Sequence, residues 1–163
     1  MRDNKITNLD TAIRIVAANR IKGRTIVFTN GCFDIVHRGH IKLLEEAKTK
    51  GDFLIVGLNS DASIRRIKGP DRPVQDEQTR ASVMAALLPV DLVVFFEEDT
   101  PLKLIESLTP DVLVKGGDWE ESRIVGASHV REHGGQVITI ALEEGYSTTS
   151  AIEKIIAQCK SKH

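Results

Sequence analysis

Thr25-Ile26-Val27-Phe28-Thr29-Asn30-Gly31-Cys32-Phe33-Asp34-Ile35-Val36-His37-Arg38-Gly39-His40 is the stretch whose reading decides the fold. Its first four residues are β-branched or aromatic and read as a short buried strand, and Ile41 to Lys48 just beyond it read as a helix. The segment between them is a strand-loop-helix corner. Gly31 and Gly39 permit backbone shapes and close approaches that a side chain would block, and Gly39 leaves room beneath whatever the loop covers. His37 and His40 flank the helix start three positions apart, so both rings can face one spot beside the first helical amides. Free N–H groups and the helix dipole favour negative charge there, and two imidazoles add donors.

Working outward, Leu9 to Ile21 places Leu9, Ile13, Val16 and Ala17 at helical spacing with Asn8 or Asp10 as cap, which predicts a leading amphipathic helix. Phe53 to Leu58 is a second, wholly apolar strand, as expected where both faces of a parallel sheet are covered. Asn59-Ser60-Asp61 opens a short helix through Ile67, and Lys68-Gly69-Pro70-Asp71-Arg72-Pro73 reads as a charged loop over the site. Gln75 to Leu88 is helical, Leu92 to Phe96 the third strand, and Asp99-Thr100-Pro101 the start of a helix that Thr109-Pro110 ends. Val112 to Val114 is the fourth strand, followed by the corner Lys115-Gly116-Gly117-Asp118-Trp119. Arg123 to His133 is helical, Val137 to Ile140 the fifth strand, and Ser147 or Thr148 caps a closing helix to about Cys159.

Strands alternating with helices predict a single α/β domain over residues 1–163: a doubly wound, Rossmann-like parallel sheet of five strands with helices on both faces. Ligands of such sheets bind beyond the carboxyl ends of the strands, where strand order reverses. The Gly31, Asn59, Lys115 and Ser147 corners all fall at that edge.

The chain of 163 residues has 22 Lys and Arg against 23 Asp and Glu, a net charge of −1, which argues against wholesale binding of nucleic acid or an anionic membrane. The polar, charged start is no secretory leader, and no apolar run approaches the ~20 residues that span a bilayer. Cys32 and Cys159 make neither a disulfide framework nor a metal knuckle. A cytoplasmic protein is expected.

Gly31-Cys32-Phe33-Asp34 followed by His37-Arg38-Gly39-His40 resembles the signature of the HxGH nucleotidyltransferases. Gly145-Tyr146-Ser147-Thr148-Thr149-Ser150 resembles their second signature, a hydroxyl-rich turn at the head of the last helix, although Tyr146 stands where relatives often carry a small or aliphatic residue. Thr29 to Asp34, Val56 to Asp61, Lys68 to Pro73, Glu98 to Pro101, Lys115 to Trp119 and Ser147 to Thr149 together are similar to one branch. That branch is the D-glycero-β-D-manno-heptose 1-phosphate adenylyltransferases, standalone or as the C-terminal half of a bifunctional kinase fusion, and the likeness runs from about Ile21 to Ile156. A chain of this length would carry the transferase half without the kinase.

The resemblance implies that a sugar 1-phosphate attacks the α-phosphorus of ATP, giving ADP-heptose for lipopolysaccharide core and releasing pyrophosphate. A phosphate nucleophile is already ionised near neutral pH, so the protein must supply alignment and charge compensation rather than a general base. His37 and His40, with Lys68, are the expected catalytic groups. For the nucleotide, the resemblance implies Thr29, Asn30, Gly31, Cys32, Phe33, Gly39, His40, Lys115, Gly116, Asp118, Ser147, Thr148 and Thr149. For the phosphorylated acceptor it implies Asp34, Asn59, Asp61, Lys68, Arg72 and Arg80. Magnesium would travel with the nucleotide, since no dense carboxylate cluster suggests a dedicated cage.

His129-Val130-Arg131-Glu132-His133 fits a zinc-protease pattern, but Gly134-Gly135 breaks the helix at once, so a solvated helix face is expected. Cys32 is read as a small filler, because the reaction has no covalent step for it. A transferase preferring CTP or another phosphorylated acceptor, and an idle nucleotide-sensing module, remain the alternatives. The amphipathic first helix leaves room for a homodimer.

Overall fold

The structure is a computed structural model that describes residues 3–117, 119–141, 143 and 145–160. Six parallel strands form one sheet: β1 (Ile6–Thr7), β2 (Ile26–Gly31), β3 (Phe53–Asn59), β4 (Leu92–Phe96), β5 (Val112–Gly116) and β6 (Gln136–Ile140), in the order β1-β4-β3-β2-β5-β6. The expectation of five strands is corrected by β1, where Ile6 and Thr7 lie beside Val93 and Val94 of β4. Two residues cannot display an alternating pattern, so sequence periodicity had nothing to register there.

Helices cover both faces. On one side α2 (Arg38–Lys48) and α4 (Glu77–Ala86) enclose a core of Val27, Leu44, Ala47, Leu54, Val56, Ala81 and Met84. On the other, α1 (Leu9–Ile21), α5 (Leu102–Leu108) and α6 (Ala127–Glu132) enclose Ala12, Val16, Ile26, Phe28, Ile55, Ile105 and Val130. Each fully buried branched or aromatic side chain contributes about 1.5–3 kcal/mol of transfer free energy, which explains why central strands carry apolar residues on both faces. Of the stripe expected on α1, Val16 is buried and Leu9 half-buried, whereas Ile13 and Ala17 are exposed; the face that enters the core runs through Ala12 and Val16.

Side-chain caps set the helix starts. Asn8 accepts from the Thr11 N–H, Ser60 from the Ser63 N–H at the head of α3 (Asp61–Lys68), and Asp76 from the Thr79 N–H at the head of α4. Lys68 is therefore the last residue of a helix and not the first of the loop. The helix expected over Arg123 to His133 is broken: Glu121–Arg123 form one 3-10 turn, Gly126 adopts φ 85°, and only Ala127–Glu132 are α-helical. The closing helix α7 (Thr148–Lys160) contains no buried residue.

Strand order reverses between β2 and β5. From β2 the sheet grows through β3 and β4 in one direction and through β5 and β6 in the other, which opens a crevice at the carboxyl ends of β2 and β5.

Candidate active site

The corner after β2 delivers both histidines to that crevice. His37 is the extended residue preceding α2, with φ −137° and ψ 172°, and makes no side-chain capping bond, while His40 lies in the first turn of the helix. Their rings stack at 3.8 Å between centroids and 20° between planes. The Nδ1 atoms of both are buried without a hydrogen-bond partner. Buried polar atoms are nearly always paired, so two orphans side by side at a helix N-terminus mark a place built for an acceptor. Gly39 makes the stack possible, since a Cβ there would lie 3.2 Å from the His37 ring and 3.7 Å from the Tyr146 Cβ.

Both imidazoles are held neutral. Burial lowers the pKa of His37. His40 is pushed down to about 4, by burial first and then by His37 and the Lys68 ammonium. A neutral imidazole keeps one N–H to donate, and the buried acid form is disfavoured for want of a counter-ion.

Lys68 is exposed and makes no hydrogen bond or ion pair among the described residues, yet it acts electrostatically on His40, Cys32 and Lys115. It is a cation without a partner among the described residues, near enough to His40 to act on it electrostatically. Lys115, at the end of β5, is half-buried, and burial lowers its pKa. Desolvation raises the pKa of Cys32 despite Lys68, Arg80 and Arg72 nearby, which keeps it a neutral thiol and agrees with a filler role.

Asp34, Arg80 and Asn59, all expected on substrate, have their polar atoms engaged with the frame. The side chain of Asp34 is 0% exposed and accepts from Arg72 Nε at 2.8 Å, from the Val74 N–H at 2.9 Å and from the Gln75 N–H at 2.9 Å. Burial alone would raise its pKa, but those N–H donors and the Arg72 guanidinium outweigh burial and hold it below the usual carboxylate value. Arg72 is thereby tied down with its side chain 14% exposed. Arg80 is 0% exposed; it donates to the carbonyls of Gln75, Cys32 and Asn59 and to the Asp61 carboxylate. It was expected to meet phosphate, and the structure instead gives its donors to the ends of β2 and β3 and the approach to α4. Asn59 is 4% exposed and donates to Ser63 Oγ, so it also faces inward.

Thr29 is fully buried and its hydroxyl has no partner. Asn30 and Lys115 share a cleft of about 180 Å³ with Pro101, Trp119, Arg123 and Val125. Trp119 donates its indole N–H to the Gly116 carbonyl at 3.0 Å, which fixes the ring at the cleft rim. Pro101 falls in one of the segments that carry the resemblance, whereas Arg123 and Val125 carried no site signal in the sequence, because only the fold brings their segment beside β5. Asp118 lies outside the described residues. Ser147 Oγ accepts from the Ser150 N–H at 3.0 Å, which caps the start of α7. Thr148 Oγ1 reaches the Ile35 carbonyl at 3.4 Å, and this contact joins the hydroxyl turn to the histidine loop. Thr149 is exposed.

His129 of α6 and His133 just past its end lie 4.2 Å apart with their rings tilted by 35°, and His129 Nε2 is 3.0 Å from the Thr109 hydroxyl, far along the chain from the corner. Among the described residues no group of three or more His, Cys, Asp or Glu is placed to hold a metal ion, and no helix is long and apolar enough to cross a membrane.

A family model described as cytidylyltransferase-like matches residues 28–154. The bifunctional protein HldE of Geotalea uraniireducens (strain Rf4) is 56% identical over 153 residues, and that of Trichlorobacter lovleyi is 54% identical over 154. These matches take in 94% of this chain but only 31% of either relative, so the chain spans under a third of their length. A crystal structure of the lipopolysaccharide core biosynthesis protein from Thermoplasma volcanium GSS1 is 30% identical with a TM-score of 0.61, covering 77% of this chain and 100% of that one. A pantoate-beta-alanine ligase structure from Francisella tularensis, 18% identical with a TM-score of 0.56, covers 85% of this chain and 67% of its own and shares the fold. With its family model anchored on the very corner that carries the stacked imidazoles, and a solved relative covered from end to end, the chain belongs to the cytidylyltransferase-like family.

Proposed function

We propose that this chain is a single nucleotidyltransferase domain that transfers the adenylyl group of ATP to D-glycero-β-D-manno-heptose 1-phosphate, giving ADP-heptose and pyrophosphate. The observation that carries the reading is the stacked His37 and His40 pair with its unpartnered Nδ1 atoms at the N-terminus of α2, within electrostatic reach of Lys68. The adenylyltransferase resemblance supplies the substrates, and the HldE relatives, named as bifunctional, support it through the third of their length that this chain matches.

An oxygen of the sugar phosphate forms the new bond to the α-phosphorus as the bond to the pyrophosphate oxygen breaks. Negative charge shifts outward onto the leaving group, and no proton need move. Neutral His37 and His40 donate to the α-phosphate and the departing pyrophosphate, Lys68 offsets charge on the oxygens in transit, and the α2 amides add their dipoles. Ser147, Thr148 and Thr149 meet the outer phosphates. Asn30, Lys115, Gly116 and Trp119 hold the nucleoside, and Asp118 belongs to the same set by resemblance. The acceptor lies beside Lys68 and Arg72, whose seat is fixed by Asp34. Magnesium enters with ATP as part of the substrate, which suits a site without a carboxylate cage. The chain works away from membranes, in the cytoplasm, and a homodimer would have the exposed Ile13 and Ile21 of α1 at its disposal.

Pyrophosphate release with MgATP and heptose 1-phosphate, run beside CTP and beside other sugar phosphates, tests this. ATP with heptose 1-phosphate should give the highest kcat/KM, and His40→Ala should lower kcat by about 10²–10³-fold, the usual effect of losing one transition-state donor. Silence in every pairing despite ATP binding would favour a sensing module, and a preference for CTP would transfer the reading to the cytidylyl branch.

A further inference from the structure

His40 stands between two rings. On one side it stacks on His37; on the other the Phe33 ring leans against it at 5.1 Å between centroids and 59° between planes. Phe33 is 3% exposed, and its φ is 44°, in the left-handed region where a bulky side chain is strained. Strain of this kind persists only where the surroundings over-determine it, and it gathers at functional sites. Here both flanks are clamped. Arg80 grips the Cys32 carbonyl at 2.7 Å, and Asp34 is fixed through Arg72, Val74 and Gln75. Gly31 is bare where a Cβ would come within 3.0 Å of Phe33 Cε2. Core packing does not require this arrangement, because Val27, Leu54 and Val56 reach the same apolar cluster from regular strands.

We propose that Phe33 is a positioning residue for His40: its ring, held by the strained backbone, fixes the plane of the imidazole against His37, so that the donor is aimed before substrate arrives. This rests on the adenylyl-transfer reading for its consequence but not for its geometry. The same ring adds to the burial that, with His37 and Lys68 as the titratable and charged neighbours, holds His40 at about 4.

The test uses the whole chain. Phe33→Leu keeps apolar bulk and removes the flat ring; it should lower kcat by about 10–100-fold, the scale of a misplacement near 1 Å, with KM for ATP within about twofold. Leu54→Ala, in the same cluster at the opposite end of the sheet, should lose stability and keep kcat. By proton NMR the His40 C2–H midpoint should rise in Phe33→Leu above about 4, since losing the flat ring lets water reach one face of the imidazole while His37 and Lys68 stay. Should Phe33→Leu fail to fold, Phe33→Met carries the same measurements. Unchanged kcat, an unmoved midpoint, or an equal loss of kcat in Leu54→Ala would overturn the assignment. A wild-type chain without pyrophosphate release would sink the functional reading alone, since the titration still decides where His40 is held.

Discussion

Replacing Arg80 by Met isolates the largest electrostatic element of the frame. The guanidinium makes four contacts: Nε to the Gln75 carbonyl at 3.1 Å, Nη1 to the Cys32 carbonyl at 2.7 Å, and Nη2 to the Asn59 carbonyl and the Asp61 carboxylate, each at 2.8 Å. At about 1.5–3 kcal/mol for a bond to a charged group, the four set a ceiling of about 6–12 kcal/mol. The Asp61 side chain is 19% exposed and can regain water, so the measured loss should fall near the about 3–5 kcal/mol typical of a broken buried pair. For a domain of this size that corresponds to a drop of about 6–20 °C in Tm. Urea unfolding followed by far-UV circular dichroism should show the midpoint falling with its slope unchanged. Arg80→Lys should lose nearly as much, because one ammonium cannot span four acceptors set in a planar fork. A loss below about 1 kcal/mol in Arg80→Met would refute the tie, and free Arg80 to be a ligand after all.

Three further outcomes follow from the site. Gly39→Ala, whose Cβ would sit 3.2 Å from the His37 ring, should fold normally and lower kcat at least about tenfold by unstacking the pair; unchanged turnover would show that the ring yields freely. Lys68→Ala should leave the unfolding free energy unaltered within about 0.5 kcal/mol, since the ammonium is exposed and unpaired among the described residues, yet cost about 10²-fold in kcat/KM. Because His40 is depressed from 6.5 to about 4, it stays neutral in the folded chain as pH falls past 6.5; its contribution to stability is complete above 6.5 and is lost progressively from there down to about 4. The kcat profile should accordingly stay level from about pH 8 to 6 and fall only on approach to 4, so an acid limb centred on 6.5 would contradict the buried neutral ring.

Local chemistry was legible and long-range chemistry was not. The glycine-framed histidine corner, the caps at Asn8 and Ser60 and the hydroxyl turn at Ser147 all stand within a few residues of their partners, so spacing alone announces them. Arg80 and Asp34 reach across up to 48 and 41 positions, and nothing in a linear pattern distinguishes a charge that binds a ligand from one that binds the frame. Both were accordingly expected on substrate. The break at Gly126 was visible as a glycine inside a helical pattern, but only its φ of 85° shows that the chain turns there. Ile6 and Thr7 join the sheet because β4 offers an open edge, which is a property of the partner strand.

The closing helix α7 has no buried residue, whereas the strand that carries the histidine corner is buried on both faces along most of its length. Amides in α7 are thus expected to exchange with solvent through local opening, at a small fraction of the free energy that guards β2. The two signatures would then differ in stiffness. One is a fixed anvil, and the other is fastened by whatever lies between them.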